Sequence, residues 1–385
     1  MSTIKYRLYF FTLLFVNFTF GSYFFASYIN ESIFHTLIFV INFPVLFFIL
    51  LRSLRFSRLD NVFTIRLVIY FITITLILIG WFFNGAENGI GFFLRATNGF
   101  LTFIVVSFLI RNNLHIIDIL LKDILTLLLV FLVLECVTRI FFPEKLGIYV
   151  SEEKFRQIGN MVSSDEGAFY YLKILSYLRF DSNGVGVIAF LSFCLSIFSQ
   201  KLKIVNNILS ICFFFLICLT LSRAAIAISI LFYLFSLNYR YIILALPIII
   251  IGGGAMLPFF IYGGSGESKI AVINNLLLYF EHVDIYQILL GQGIAADIFD
   301  SNKTGVEGFF GHNIIVFLIF YVGALSMFLY FIFLYPIKEA NKHSCLFLLC
   351  LLAIGMSYLR PFESFVFILV PLIYLLANRL NDEEV

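Results

Sequence analysis

The feature that most constrains this chain is the length of its apolar runs: segments such as 67–83 and 204–221 hold no charged residue, and comparable runs recur along the whole sequence. Crossing the roughly 30 Å hydrocarbon layer as a helix takes about 20 such residues, and lipid offers no partner for a free backbone N–H or C=O. Transmembrane strands would alternate apolar and polar residues over short segments, whereas these runs are apolar on every face, so a β-barrel is excluded. A soluble fold is excluded as well. Of 385 residues, 62% are hydrophobic, 12% are charged and 51 are Phe, which leaves too little polar surface to cover a core in water. The sequence predicts an all-α polytopic integral membrane protein, a single transmembrane domain over residues 1–385, with no internal repeat or dividing linker.

About twelve spans are expected, near 8–29, 33–51, 67–83, 91–110, 124–142, 184–199, 205–221, 224–238, 241–262, 313–334, 345–358 and 364–378. The first follows Lys5 and Arg7 but is too long for a signal peptide and lacks a small-residue cleavage site, so it reads as a retained span. Arg52, Arg55, Arg58 and Arg66 crowd one loop, which the positive-inside rule places in the cytoplasm. Lys5, Arg7, Arg111, Lys122, Lys201, Lys203, Arg240, Lys338, Lys342 and Arg379 then fall on the same side, which predicts cytoplasmic termini. Two long loops, 143–183 and 263–312, face outward, so any aqueous chemistry is expected there.

Arginine on the outer side opposes this rule, and each case needs a reason. Arg95, Arg139, Arg156, Arg179, Arg223 and Arg360 all fall at that one level of the membrane. Singly, each can snorkel to head groups or pair with Glu87, Glu135 or Glu363. As a set they suit a phosphorylated lipid head group, because guanidinium forks bind phosphate bidentately and stay charged. The sharpest motif is Thr220-Leu221-Ser222-Arg223-Ala224-Ala225, where Ser222 and Arg223 separate two apolar runs with almost no loop. Such a hairpin is either an interfacial turn or a means of fixing a guanidinium against a charged leaving group. His312 closes the second long loop and opens a span at Phe310-Gly311-His312-Asn313, where an imidazole can either accept a hydroxyl proton or donate a hydrogen bond to an oxyanion. His282 lies in the amphipathic stretch 268–290 and reads as a surface or packing residue.

The remaining features are weaker. All six cysteines lie inside apolar runs without metal-ligand spacing, so they read as small core residues, and no metal or other cofactor is expected. Gly252-Gly253-Gly254 and Gly263-Gly264-Ser265-Gly266 have no Walker lysine or Rossmann context and fit close helix packing and a loop start. A net charge of +2, scattered between spans, gives no sign of a nucleic-acid partner. The polar stretch Arg179-Phe180-Asp181-Ser182-Asn183-Gly184 reads as an Asx turn and helix cap that also presents Arg179.

On four of these motifs the chain resembles the O-antigen polymerases (Wzy-type) and O-antigen ligases, bacterial inner-membrane glycosyltransferases acting on undecaprenyl-diphosphate-linked glycans. They are the arginine and Asp-Ser-Asn-Gly turn at 179–184, Leu221-Ser222-Arg223, Leu289-Leu290-Gly291-Gln292-Gly293, and His312-Asn313 followed by Gly323. Ala227, where ligase-like members tend to carry leucine, and Ser182, where relatives often carry proline, favour polymerase over ligase. The resemblance implies that Arg223 and Arg179, or failing that Arg156, hold the diphosphate and that His312 contacts the reacting sugar or phosphate. Arg95, Arg360, Asn183, Ser222 and Asn313 are further candidates for substrate binding. It implies a lipid-linked donor and acceptor as partners, with a chain-length regulator as a possible companion. A polysaccharide flippase is the main rival, but transporters place ionisable groups near the midplane, often on paired interrupted helices, a pattern this sequence lacks. A non-catalytic subunit of a glycan export complex is a third reading.

Overall fold

The computed structural model describes residues 3–19, 31–56, 61–84, 90–141, 182–236, 274–292, 313–338, 340–358 and 362–384. Among these every regular element is helical and none is a strand. In chain order they are α1 (Thr3–Thr19), α2 (Glu31–Phe56), α3 (Asn61–Asn84), α4 (Ile90–Arg111), a 3-10 turn at Leu114–Ile116, and α5 (Ile117–Phe141). After them come α6 (Ser182–Lys201), α7 (Asn207–Leu219), α8 (Arg223–Ser236), α9 (274–282), α10 (Ile285–Leu290), α11 (Ile314–Leu334), α12 (Lys342–Tyr358) and α13 (Ser364–Glu384). Five of the described helices are long and apolar enough to cross a membrane: Asn61–Phe83, Phe93–Arg111, Asn183–Lys201, Ile314–Leu334 and Ser364–Glu383. That is what a multi-pass membrane protein requires. The predicted span 241–262 and most of the two predicted outward loops lie outside the described residues.

The helices fall into two compact units: residues 1–59, 97–229 and 362–385 form the first, and 60–96 with 230–361 the second. In the first unit α6 is the hub, packing on α5, α7 and α13, with buried Val185, Ile188, Phe190, Leu191 and Phe198 on its several faces. Gly99 lets α4 close on α13, since a Cβ there would sit 2.9 Å from the Phe367 ring. Apolar packing alone does not fix register between apolar helices, and polar side chains supply it. Tyr9 donates to Asn42 Oδ1 at 2.6 Å, and Asn42 Nδ2 donates onward to Thr102 at 2.8 Å, stitching α1, α2 and α4. Asn98 Nδ2 likewise donates to the His35 carbonyl at 2.5 Å.

Charges collect at one end of this unit. Arg7 pairs with Asp123 and Arg379 with Asp118, each at 2.6 Å. The run of α5 from Asp118 to Arg139 rises roughly 30 Å, a hydrocarbon thickness, so Arg139 lies at the opposite end. Between them α1 and α5 line an open cleft of about 550 Å³, with Leu8, Phe11, Leu14, Leu127 and Val130 on its walls together with Arg7 and Asp123.

In the second unit α11 packs on α3, α10 and α12. Exposed Val68, Phe71, Ile72 and Phe82 on α3 leave a broad apolar face, as expected where the surrounding solvent is lipid. The amphipathic stretch ending at Leu290 is two helices rather than one. Asp284 and Gln287 form a capping box that starts α10 afresh after α9. Tyr279 of α9 packs among Val316, Ile319 and Phe320 of α11.

Candidate functional site

The hairpin between α7 and α8 is built by backbone and side-chain caps within five residues. Thr220 Oγ1 donates to the Ile217 carbonyl at 2.7 Å and accepts from the Ser222 N–H at 3.3 Å. Leu221 stands at φ 58°, a left-handed conformation that glycine or asparagine adopts readily and that costs a branched residue about 1–3 kcal/mol. Ser222 is buried and its Oγ accepts from the Ala225 N–H at 3.5 Å, a long N-cap bond at the start of α8. Arg223 follows as the first helical residue, and it is exposed. The sequence motif thus becomes a three-residue turn that presents one guanidinium.

Two neighbours hold this turn. On one side Gly186 of α6 brings the helices so close that an added Cβ would lie 2.9 Å from Ala225 Cβ and 3.0 Å from Ser222 Cβ. Asn183, half-buried, is one turn earlier on the same helix and so shares that face. From the other side Arg139 of α5, 1% exposed, donates from Nη2 to the Leu219 carbonyl at 2.8 Å. Leu219 ends α7, where carbonyls lack intrahelical partners and the helix dipole favours a cation. Arg139 stood among the anomalous arginines of the sequence but not among the assigned binding residues. Its role depends on a contact 80 positions away in sequence, which no local pattern announces.

Ser222 and Arg223 thus share one turn of the first unit, Arg139 binds the carbonyl that precedes it, and Asn183 lies on the adjoining helix α6. Asn313 and Arg95 belong to the second. Asn313 is the N-cap of α11, its Oδ1 accepting from the Ile315 N–H at 2.9 Å, and Arg95 is half-buried in the second turn of α4. His312, Arg156, Arg179 and Arg360 lie outside the described residues. His282 is exposed, with Nδ1 2.7 Å from the Leu278 carbonyl, as a surface residue would be. Among the described residues no three His, Cys, Asp or Glu side chains gather as a metal site would.

A second construction, in the second unit, rests on glycine. Gly323 breaks α11 at φ 79° and ψ 164°, and Gly291, at φ 82°, ends α10 against it. A Cβ on Gly291 would lie 2.7 Å from the Gly323 nitrogen and 2.7 Å from the Tyr321 carbonyl; one on Gly323 would strike the Leu289 carbonyl and the Gly291 nitrogen. A Cβ on Gly80 of α3 would meet the Leu290 carbonyl at 2.6 Å, so three backbones converge. The break frees carbonyls that an intact helix would satisfy, and the Gln292 N–H binds one of them, Phe320, at 2.7 Å. Leu289-Leu290-Gly291-Gln292 and Gly323, noted in the sequence as separate motifs, are one structural object.

Comparison with protein-family models gives no match. Comparisons with curated proteins and with solved structures give none either.

Proposed function

We propose that the chain is a membrane glycosyltransferase that polymerises undecaprenyl-diphosphate-linked repeat units into O-antigen or a related surface polysaccharide. It works at the periplasmic face of a bacterial inner membrane, on a lipid-linked donor and a glycan acceptor. The observation that carries this reading is Arg223, exposed on a turn that Arg139 and Gly186 hold from either side. A mobile surface arginine contributes little, whereas a positioned one stabilises the charge that develops on a departing diphosphate. In the proposed step an acceptor hydroxyl oxygen attacks the anomeric carbon of the donor sugar. The bond from that carbon to the diphosphate oxygen breaks, and undecaprenyl diphosphate leaves with the electron pair. The hydroxyl proton passes to His312, whose part rests on the sequence alone. A diphosphate leaving group needs charge neutralisation more than protonation, and arginine supplies it without a metal ion.

The test is polymer formation by purified protein from lipid-linked repeat units, with no ion gradient. Wild type should extend the chains, Arg223→Ala should lose 100-fold or more, on the order of a removed transition-state donor, and His312→Ala should fall strongly. A flippase would show transport tied to a gradient and no product. Arg223→Ala and His312→Ala both leaving polymer length and amount unchanged would end this reading.

A further inference from the structure

The Arg139 guanidinium has an edge that its structural role does not use. Nη2 caps α7 through the Leu219 carbonyl, with a weaker contact from the same nitrogen to Cys136 Sγ at 3.9 Å. Nη1 is fully buried and has no hydrogen-bond partner among the described residues. Glu135, one turn earlier on the same face of α5, is also buried. A desolvated charged donor left without an acceptor is costly, and native structures rarely keep one. Leu219 lies four residues before the N-terminus of α8, a 14-residue helix whose dipole favours an anion at that end.

We propose that Arg139 is a second phosphate-binding group at the Arg223 turn: its Nη2 edge fixes the turn through Leu219, and its Nη1 edge receives a phosphate oxygen of the ligand. The fork geometry suits the task, since one edge stays on protein while the other turns to the ligand, which a lysine ammonium does less well. The assignment deepens the glycosyltransferase reading and rests on it for the ligand's identity as a lipid-linked diphosphate. The phosphate chemistry itself stands on the turn alone.

The experiment is binding of farnesyl diphosphate to the purified full-length protein in phosphatidylcholine nanodiscs, with unfolding midpoints measured in parallel. Arg139→Met should weaken binding about ten-fold or more, as loss of a charge-assisted bond does, and Arg139→Lys should fall between it and wild type. Arg66→Ala is the control. Arg66 donates to the Tyr335 carbonyl at 3.4 Å, also at a helix end, so its loss should lower the midpoint and leave binding unchanged. Arg139→Met binding as tightly as wild type overturns the proposal and leaves Arg139 a cap. Should that variant fail to fold, Arg139→Lys decides, and undiminished affinity overturns the proposal equally. Competition by phosphatidylglycerol with the same Arg139 dependence would assign the phosphate to a bilayer head group, keeping the site but detaching it from polymerisation. Polymer lost in Arg223→Ala and kept in Arg139→Met, with binding unchanged, would sink this inference and spare the function.

Discussion

The hairpin at residues 219–223 and the glycine junction at 291 and 323 both bend a chain that lipid would rather keep helical, but they do it with different materials. At the hairpin side chains hold the bend: a buried arginine, a threonine and serine that satisfy backbone groups, and one leucine forced to φ 58°. At the junction the absence of side chains makes it possible, because backbone meets backbone where any Cβ would intrude. Helix interruptions inside apolar bundles are tolerated only where protein satisfies the freed groups. The Gln292 N–H on the Phe320 carbonyl does this at the junction. The difference teaches that the hairpin can be tuned residue by residue, whereas the junction is all or nothing.

The largest effect should therefore fall on the junction. Gly323→Ala or Gly291→Ala combines a positive φ with contact against fixed backbone atoms, a loss of about 3–5 kcal/mol. Unfolding in detergent and the yield of monodisperse protein measure it. If either variant purified with a wild-type midpoint, the junction would be far more pliable than its geometry states.

A pH experiment examines the same unit by another route. The Tyr279 phenol, buried against α11, is pushed up to about 12 from an ordinary 10 by burial, with the nearby Gln292 side chain opposing the shift. The raised value favours the neutral phenol in the folded state. Its contribution is thus fully present below pH 10 and is lost as pH rises through 12, a fall of about 2–3 kcal/mol. The unfolding midpoint should drop across that window, and Tyr279→Phe should remove the part of the drop that this group causes. An identical alkaline profile in the variant would show that ionisation of this phenol is not what limits stability.

Sequence reading succeeded where a signal was long and local. The runs 67–83, 91–110 and 313–334 reappear as α3, α4 and α11 because apolar length alone dictates helix in lipid. The turn at Ser222 was legible because two polar residues between apolar runs leave little alternative. The break at Gly323 was not, since an isolated glycine costs a helix only about 1 kcal/mol and the flanking residues are apolar throughout. Only contact with Gly291 makes it a break. The division of the stretch 268–290 did have a local signal, the Asp284-x-x-Gln287 capping box, which helical periodicity outweighed. Arg139 gave itself away as an arginine out of place, yet its partner Leu219 belongs to another helix and only the fold supplies it.

At the hairpin the effects should be graded and reversible. Gly186→Ala places a methyl against Ala225 and Ser222, and crowding of that kind costs about 1–3 kcal/mol. Ala225→Gly removes the nearest of the clashing atoms, so the double variant should recover much of the loss, and a double-mutant cycle on unfolding midpoints measures the coupling. Strict additivity would mean that α6 and α8 do not press on each other here.

The smallest effect belongs to Ser222→Ala. Its Oγ reaches the Ala225 N–H only at 3.5 Å, so the cap is worth about 0.5–1 kcal/mol, the weak end for such residues. Ser222 is buried while Arg223 is exposed, so the variant removes a support of the guanidinium and not the guanidinium itself. If the turn works by fixing Arg223, the rate of polymer formation should fall further than this modest loss of folding stability accounts for. A rate that follows the folded fraction alone would show that Arg139 and Gly186 hold the turn without help from the cap, narrowing the contrast with the junction.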